Sequence, residues 1–205
     1  MNDPWLDFAM QIQSIAQTGL FYTQNSYDRE RFEALRRISA EMLSVRTALP
    51  FEKTVEVFCC EEGYQTPKVD TRAAIFSGEK ILLVHENNGK WSLPGGWCDV
   101  DQSIASNAEK ETLEEAGLTV KAERLIAVQD WRKHNACNYA FGVIKVFVLC
   151  QNEGGEFQEN GETTGIGYFA ENELPAELSV EKNTEEQIRM CFRANREENW
   201  KTLFD

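Results

Sequence analysis

Over the first fifty residues, apolar side chains recur at helical spacing. Trp5, Phe8, Ala9, Ile12, Ile15 and Ala16 fall on one stripe that ends near Gly19. Phe32, Leu35, Met42 and Val45 form a second stripe, between charges, over Asp28–Ala48. The spacing predicts two helices, joined by the aromatic and polar connector Phe21–Tyr27 and closed by Pro50. Two helices alone cannot cover both apolar faces, so the pair is expected to pack on another body or on a second copy of itself. Beyond Pro50 the texture changes to short β-branched and aromatic runs. Thr54–Cys60 is β-rich and predicts a strand, and Glu61–Lys68 reads as a linker. Val69–Phe76, a turn at Ser77–Lys80 and Lys80–Val84 predict a hairpin. Further strands are expected near Val120–Asp130, Tyr139–Cys150 and Gly165–Phe169. Helices are expected at Ser103–Ala116 and Thr184–Ala194, the latter opened by the capping-box pair Thr184 and Gln187. The chain therefore reads as α+β, with a helical hairpin and linker over residues 1–62 and a mixed domain over 63–205.

Composition narrows the function. At 205 residues, 42% hydrophobic and 27% charged, the chain can bury a core without disulfides. Its 21 basic and 34 acidic residues leave a net charge of −13. That balance argues against nucleic acid gripped by broad phosphate neutralisation and against docking on anionic membranes. An acidic chain still binds phosphates where a metal ion supplies positive charge. With six cysteines, no CxxC pair and two histidines, a zinc site is not expected. The start MNDPWLDF has no signal-peptide pattern, and no apolar run reaches the length of a membrane span. A reducing cytoplasm with free thiols is the expected location.

Candidate chemistry lies in Leu93–Leu118, LPGGWCDVDQSIASNAEKETLEEAGL. Glu111, Glu114 and Glu115 stand at i, i+3 and i+4, on one side of the predicted helix. Like charges at that spacing repel. They also lie in the last turns before Gly117, where the helix dipole disfavours anions. A bound cation removes both penalties, and hard divalent cations take oxygen ligands. Glutamates at this spacing commonly form only a solvated face; the upstream turn Pro94-Gly95-Gly96 shifts the reading. Its glycines let backbone approach a ligand, and a carbonyl there can join the carboxylates.

These residues carry a family resemblance. Gly96–Leu118 resembles the Nudix box, the signature of the Nudix hydrolases, matching at Gly96, Glu111, Glu114, Glu115, Gly117 and Leu118. It departs at Gln102, where the family has Glu, at Lys110, where it has Arg, and at Thr112, where it has an aliphatic residue. The flanking runs Lys80–Trp97 and Gly167–Pro175 resemble the family's hairpin before the box and its late strand. The resemblance implies the Nudix fold, a mixed sheet between helices in an α/β/α arrangement. It implies hydrolysis of a nucleoside diphosphate linked to another moiety, with Mg²⁺ or Mn²⁺ and an attacking water. It implies Glu114, Glu115 and the Gly95 carbonyl as metal ligands, Glu111 as ligand or base, and Lys110 as a weaker substitute for the arginine that orients the carboxylates. Glu162 is the candidate for a further acid before the late strand, and Asp99 or Asp101 could offset the charge lost at Gln102.

Trp5–Leu43 resembles the helical N-terminal domain of a bacterial Nudix subgroup that includes ADP-ribose and CDP-choline pyrophosphatases. The resemblance implies CDP-choline as first-choice substrate, split to CMP and phosphocholine. ADP-ribose is the alternative, and a non-hydrolysing ligand-binding module is the rival of another class. Trp97 is a candidate to stack on a base, with core packing equally plausible for a tryptophan. Arg132 and Lys133, in a basic run with His134, are candidates to meet phosphate, against the more common solvated turn. Arg29, Arg31, Arg36 and Arg37 alternate with acids, a pattern of helix-face ion pairs. A homodimer is expected through the N-terminal helices.

Overall fold

The computed structural model describes residues 4–47, 49–135 and 141–205. It divides into two compact units, 1–67 with 138–142 and 68–137 with 143–205.

The first unit holds three helices, α1 (Pro4–Tyr22), α2 (Ser26–Thr47) and α3 (Phe51–Phe58). Two expectations change here. Thr54–Cys60 supplies most of helix α3 rather than a strand. Thr54 donates its hydroxyl to the Pro50 carbonyl, at 3.1 Å, which braces the first turn. Thr54 and Phe58 then point one turn apart into the interior, so tertiary burial overrides β propensity. The second change concerns which face is covered. Helix α1 buries Leu6, Ala9, Gln13, Ala16 and Gln17, and α2 buries Ser39, Ala40 and Leu43. Trp5, Phe8 and Ile15 stay 60%, 50% and 59% exposed. Small residues let the two helix backbones approach. Gly19 does not stop α1; a Cβ there would overlap the Phe32 ring of α2. The buried Gln13 and Gln17 are satisfied, Gln17 donating to the Gly63 carbonyl at 3.0 Å and Gln13 accepting from the Cys59 thiol at 3.4 Å. The α2 arginines are used locally: Arg31 pairs with Asp28, Arg37 with Glu41, and Arg36 donates to the Cys59 and Glu61 carbonyls.

The second unit is a mixed sheet between helices. Its elements are β1 (Lys68–Ser77), β2 (Lys80–Glu86), β3 (Trp91–Ser92), α4 (Ile104–Ala116), β4 (Leu118–Asp130), α5 (Trp131–His134), β5 (Val143–Gly155), β6 (Thr163–Ala170), α6 (Glu185–Arg196) and β7 (Leu203–Phe204). The strand order is β3-β2-β1-β5-β4-β7, with β6 also paired to β2. β1 and β5 run parallel along eight residue pairs, and β1–β2 is the expected hairpin. Alternation sorts the strands between two cores. Ala73, Ile75, Leu82, Val84, Val146 and Val148 pack with Ala108 and Ala116 of α4. Ala74, Ile81, Leu83, Phe147 and Leu149 pack with Ile188, Cys191 and Phe192 of α6. Both faces are covered, which is why these strands read as nearly unbroken apolar runs.

Thr184 and Gln187 close the expected capping box of α6. The basic run Arg132–His134 forms the one-turn helix α5 instead of an open loop, because the Asp130 carboxylate accepts from the Arg132 backbone N–H and caps it. The strand expected from Tyr139 begins at Val143; Tyr139 lies outside the described residues, as do Ala48 and Cys137. Among the described residues, no helix is long and apolar enough to cross a membrane.

Candidate metal and phosphate site

The site is built where the loop after β3 folds back on β1. Thr71 N donates to the Gly96 carbonyl, Ala73 N to Pro94 and Cys98 N to Val69, at 2.9, 2.9 and 2.8 Å. These bonds pull the loop against the strand so tightly that only glycine fits. Gly95 adopts φ +139°, and a Cβ there would collide with the Thr71 carbonyl. A Cβ on Gly96 would collide with the Glu111 carboxylate. The glycines therefore bring backbone and helix carboxylate together.

Helix α4 is anchored at both ends. Ser103 caps its N-terminus and Gly117 ends it in the left-handed region, φ +67°. The Glu115 and Glu114 carbonyls, orphaned by the helix end, accept from Thr163 Oγ1 at 2.6 Å and Asn160 Nδ2 at 3.0 Å. Asn107, fully buried, donates to Thr71 Oγ1 at 2.8 Å and to the Trp97 carbonyl at 3.3 Å, and accepts from Asp99 N. Thr112 is buried at the aliphatic position, its hydroxyl returned to the Ala108 carbonyl at 2.7 Å. That departure is thus absorbed within the helix.

The three glutamates meet different surroundings. Glu115 is buried and accepts from Gly95 N at 2.8 Å. Burial pushes its pKa up to about 7, against the pull of Arg72 and the Gly95 N–H. Glu111 is half-buried, its pKa also raised by burial and opposed by Lys110. Glu114 is exposed. Lys110 sits among three carboxylates, with Nζ 2.8 Å from Glu114, 3.1 Å from Glu111 and 3.3 Å from Asp99. Those contacts hold its pKa above the usual lysine value. The Lys110 ammonium occupies this carboxylate edge, and carboxylate oxygens are the donor type that hard divalent ions take. Among the described residues, no three His, Cys, Asp or Glu side chains are grouped so that they could hold a metal ion.

The other expected residues are placed as follows. Asp99 reaches Lys110, whereas Asp101 is exposed and Gln102 lies in the turn, its N–H bonded to the Asp99 carbonyl at 3.0 Å. Glu162 is exposed; its carbonyl accepts from Asn87 N, and its loop carries the bonds to the end of α4. Trp97 is partly exposed directly after the glycines. Arg132 grips the Asp130 carboxylate at 2.6–3.1 Å, and this pairing lowers the Asp130 pKa. Lys133 is exposed. Asp130 shares a rung with Ile144, which shares one with Val69, so the register puts this basic turn at the end of the sheet where the glycine loop docks.

Sequence reasoning missed a buried polar layer on β1 and β5. Asp70, Arg72 and Lys145 are each no more than 3% exposed. Arg72 binds both Asp70 oxygens, at 3.1 and 2.5 Å, and Lys145 adds a third bond at 2.7 Å. The signal was present: charges at Asp70, Arg72 and Lys145 interrupt otherwise apolar strands.

The chain is similar to several known proteins. Residues 66–191 match the family description "NUDIX domain", and residues 3–58 match "UDP-X-like, N-terminal oligomerisation domain". The Bacillus subtilis (strain 168) protein named "Putative ADP-ribose pyrophosphatase YjhB" is 40% identical over 98% of this chain and 97% of its own length. A crystal structure of an ADP-ribose pyrophosphatase from Streptococcus suis is 56% identical, with TM-score 0.64 over 68% of this chain and all of that one. A crystal structure of a UDP-X diphosphatase is 35% identical, with TM-score 0.64 over 98% of both chains.

Proposed function

Since the chain belongs to the Nudix hydrolase family, we propose that it is a divalent-metal-dependent pyrophosphatase whose first substrate is ADP-ribose. The observation that carries the reading is the helix edge where Glu115 accepts from Gly95 N and Glu111 lies against Gly96, with Glu114 joined to Glu111 through Lys110. The sequence alone placed CDP-choline first; the names of the similar proteins favour the alternative, ADP-ribose, with uridine diphosphate derivatives next. Specificity lies in loops outside the glutamate helix, so substrate choice is argued from relatives and not from the helix.

In this reading Glu114, Glu115 and the Gly95 carbonyl would hold Mg²⁺ or Mn²⁺. When bound, the cation offsets the charge of the phosphate oxygens and lowers the pKa of water. Glu111 takes up the proton of the attacking water. Lys110 keeps Glu111 and Glu114 oriented, and Trp97 offers a flat surface beside the glycine turn for a base. Arg132 and Lys133 supply positive charge near the substrate's phosphates. A non-hydrolysing module has less support, because all three helix glutamates are retained.

The N-terminal helices assemble a homodimer. Support comes from the exposed Trp5, Phe8, Ile15, Ile38 and Val45 on α1 and α2 and from the oligomerisation domain that this segment matches.

The test is turnover of ADP-ribose, a UDP-sugar and CDP-choline with Mg²⁺ or Mn²⁺. Metal-dependent release of AMP and ribose 5-phosphate is expected, faster than release of CMP from CDP-choline. Preferred turnover of CDP-choline overturns the substrate. Tight binding with no metal-dependent cleavage of any of them overturns the hydrolase.

A further inference from the structure

We propose that Arg72 and Asn183 are positioning residues, which clamp the Leu93 backbone at its carbonyl and at its N–H and thereby hold the Gly95 backbone in place beside the Glu115 carboxylate. The proposal rests on reading Gly95 and Glu115 as metal-holding groups.

Arg72 Nη1 donates to the Leu93 carbonyl at 3.3 Å, while Leu93 N donates to Asn183 Oδ1 at 2.8 Å. Both partners are buried, Arg72 at 3% and Asn183 at 0% exposure. The clamp is part of a closed circuit. Arg72 holds Asp70, Asp70 accepts from Lys145, and Lys145 donates at 2.7 Å to the carbonyl of Lys182, the neighbour of Asn183. The circuit thus joins β1, β5 and the segment before α6 to the loop that carries Gly95. Two residues beyond Leu93, Gly95 N is bonded to Glu115 at 2.8 Å. Leu93 and Gly95 are thus joined through Pro94, whose carbonyl accepts from Ala73 N.

Charge points the same way. Arg72 and Lys145 both bond the buried carboxylate of Asp70. The other acids facing Arg72 are Glu115 and Glu86, and Glu86 is already paired with Lys182 at 3.0 Å. Glu115 thus lies within electrostatic reach of the Arg72 guanidinium. Arginine suits this place because its fork serves Asp70 with two nitrogens and Leu93 with the third. A buried ion cluster is a poor source of stability compared with apolar packing. Among the described residues, Asn183 Nδ2 has no hydrogen-bond partner. The amide is thus used for its acceptor, which holds Leu93.

The experiment measures Mn²⁺ dissociation constants of the full-length protein by electron paramagnetic resonance, with metal-free melting curves and steady-state kinetics at saturating metal. The variants are Arg72→Lys, Arg72→Met, Asn183→Ala and Glu115→Gln. Outer contacts of this kind typically change metal affinity by about 10–100-fold. Weakening of that size is expected in Arg72→Met and Asn183→Ala, with kcat falling more than KM rises. Arg72→Lys keeps the charge and loses the fork, so partial recovery is expected. If Arg72→Met does not fold, Arg72→Lys and Asn183→Ala decide. Lower melting temperatures with wild-type Mn²⁺ affinity and kcat would make the clamp merely structural and overturn the proposal. Unchanged Mn²⁺ affinity in Glu115→Gln overturns the metal-site reading itself, and the proposal with it.

Discussion

The α/β unit and the helical unit depart from ordinary burial in opposite directions. The first puts charge inside: Asp70, Arg72, Lys145, Glu86 and Glu115 are all buried. The second leaves large apolar groups outside, with Trp5, Phe8 and Ile15 at least half exposed and Val45 88% exposed. Neither arrangement helps an isolated unit fold. Buried charges lose hydration, and exposed apolar area forgoes roughly 25 cal/mol per Å². The difference teaches where each unit does its work. The α/β unit carries an electrostatic interior behind the glutamate edge proposed to hold a cation, and the helical unit presents the apolar surface proposed for association.

The sharpest way to break the first half of the comparison is Glu115→Gln. If the buried charge serves chemistry, turnover should fall about 10²–10³-fold, the scale for losing one preorganised electrostatic contact in an active site. Turnover within a few-fold of wild type would make Glu115 structural.

The same variant tests what burial costs. The Glu115 pKa is raised from 4.5 to about 7. Between those values the folded state binds more protons than the unfolded one, so metal-free stability should fall as pH rises through that window and level off above it. The difference corresponds to roughly 3 kcal/mol. Melting curves in chelator from pH 4.5 to 8 should show this slope in the wild-type protein and lose it in Glu115→Gln. Parallel curves would mean that Glu115 meets water in solution.

The second half rests on the apolar face. Phe8→Glu with Val45→Glu should weaken self-association at least about tenfold, or 1.4 kcal/mol, while leaving the helical content unchanged by circular dichroism. Sedimentation velocity at micromolar concentration reads the outcome. A wild-type protein that is already monomeric, or a variant that dimerises equally well, removes the assigned role of that face.

The two regions also differ in how far they could be read. Glu111, Glu114 and Glu115 belong to one helix, whose fixed pitch places them on one edge whatever the surroundings. Gly96 belongs with them because its lack of a Cβ is needed for the helix carboxylate to approach. The α1 stripe is only partly buried: Ala9 and Ala16 lie inside, whereas Trp5, Phe8 and Ile15 are exposed. Counting large apolar residues selects Trp5, Phe8, Ile12 and Ile15. Close approach instead depends on the small residues Ala9, Ala16, Ser39 and Ala40, all fully or almost fully buried. Thr54–Cys60 carried β-forming residues, yet Pro50 and the burial of Thr54 and Phe58 made a helix. Short segments take their structure from what they pack against.

The sequence by itself determined the elements with strong periodicity, the three glutamates on α4, the glycine turn and the capping of α6. Each is a local matter, decided by helical pitch, the missing side chain of glycine or a hydrogen bond across three residues. Tertiary structure alone decided that Lys110 gathers Asp99, Glu111 and Glu114, that Glu115 turns inward to Gly95, and that Arg72, Asp70, Lys145 and Asn183 join behind the loop. Asp70 and Lys145 are 75 positions apart and Leu93 and Asn183 are 90 apart, brought together by the parallel pairing of β1 with β5 and by the return of the chain before α6. No pattern within one segment encodes such meetings, because they depend on strand order and register, which the whole core selects at once.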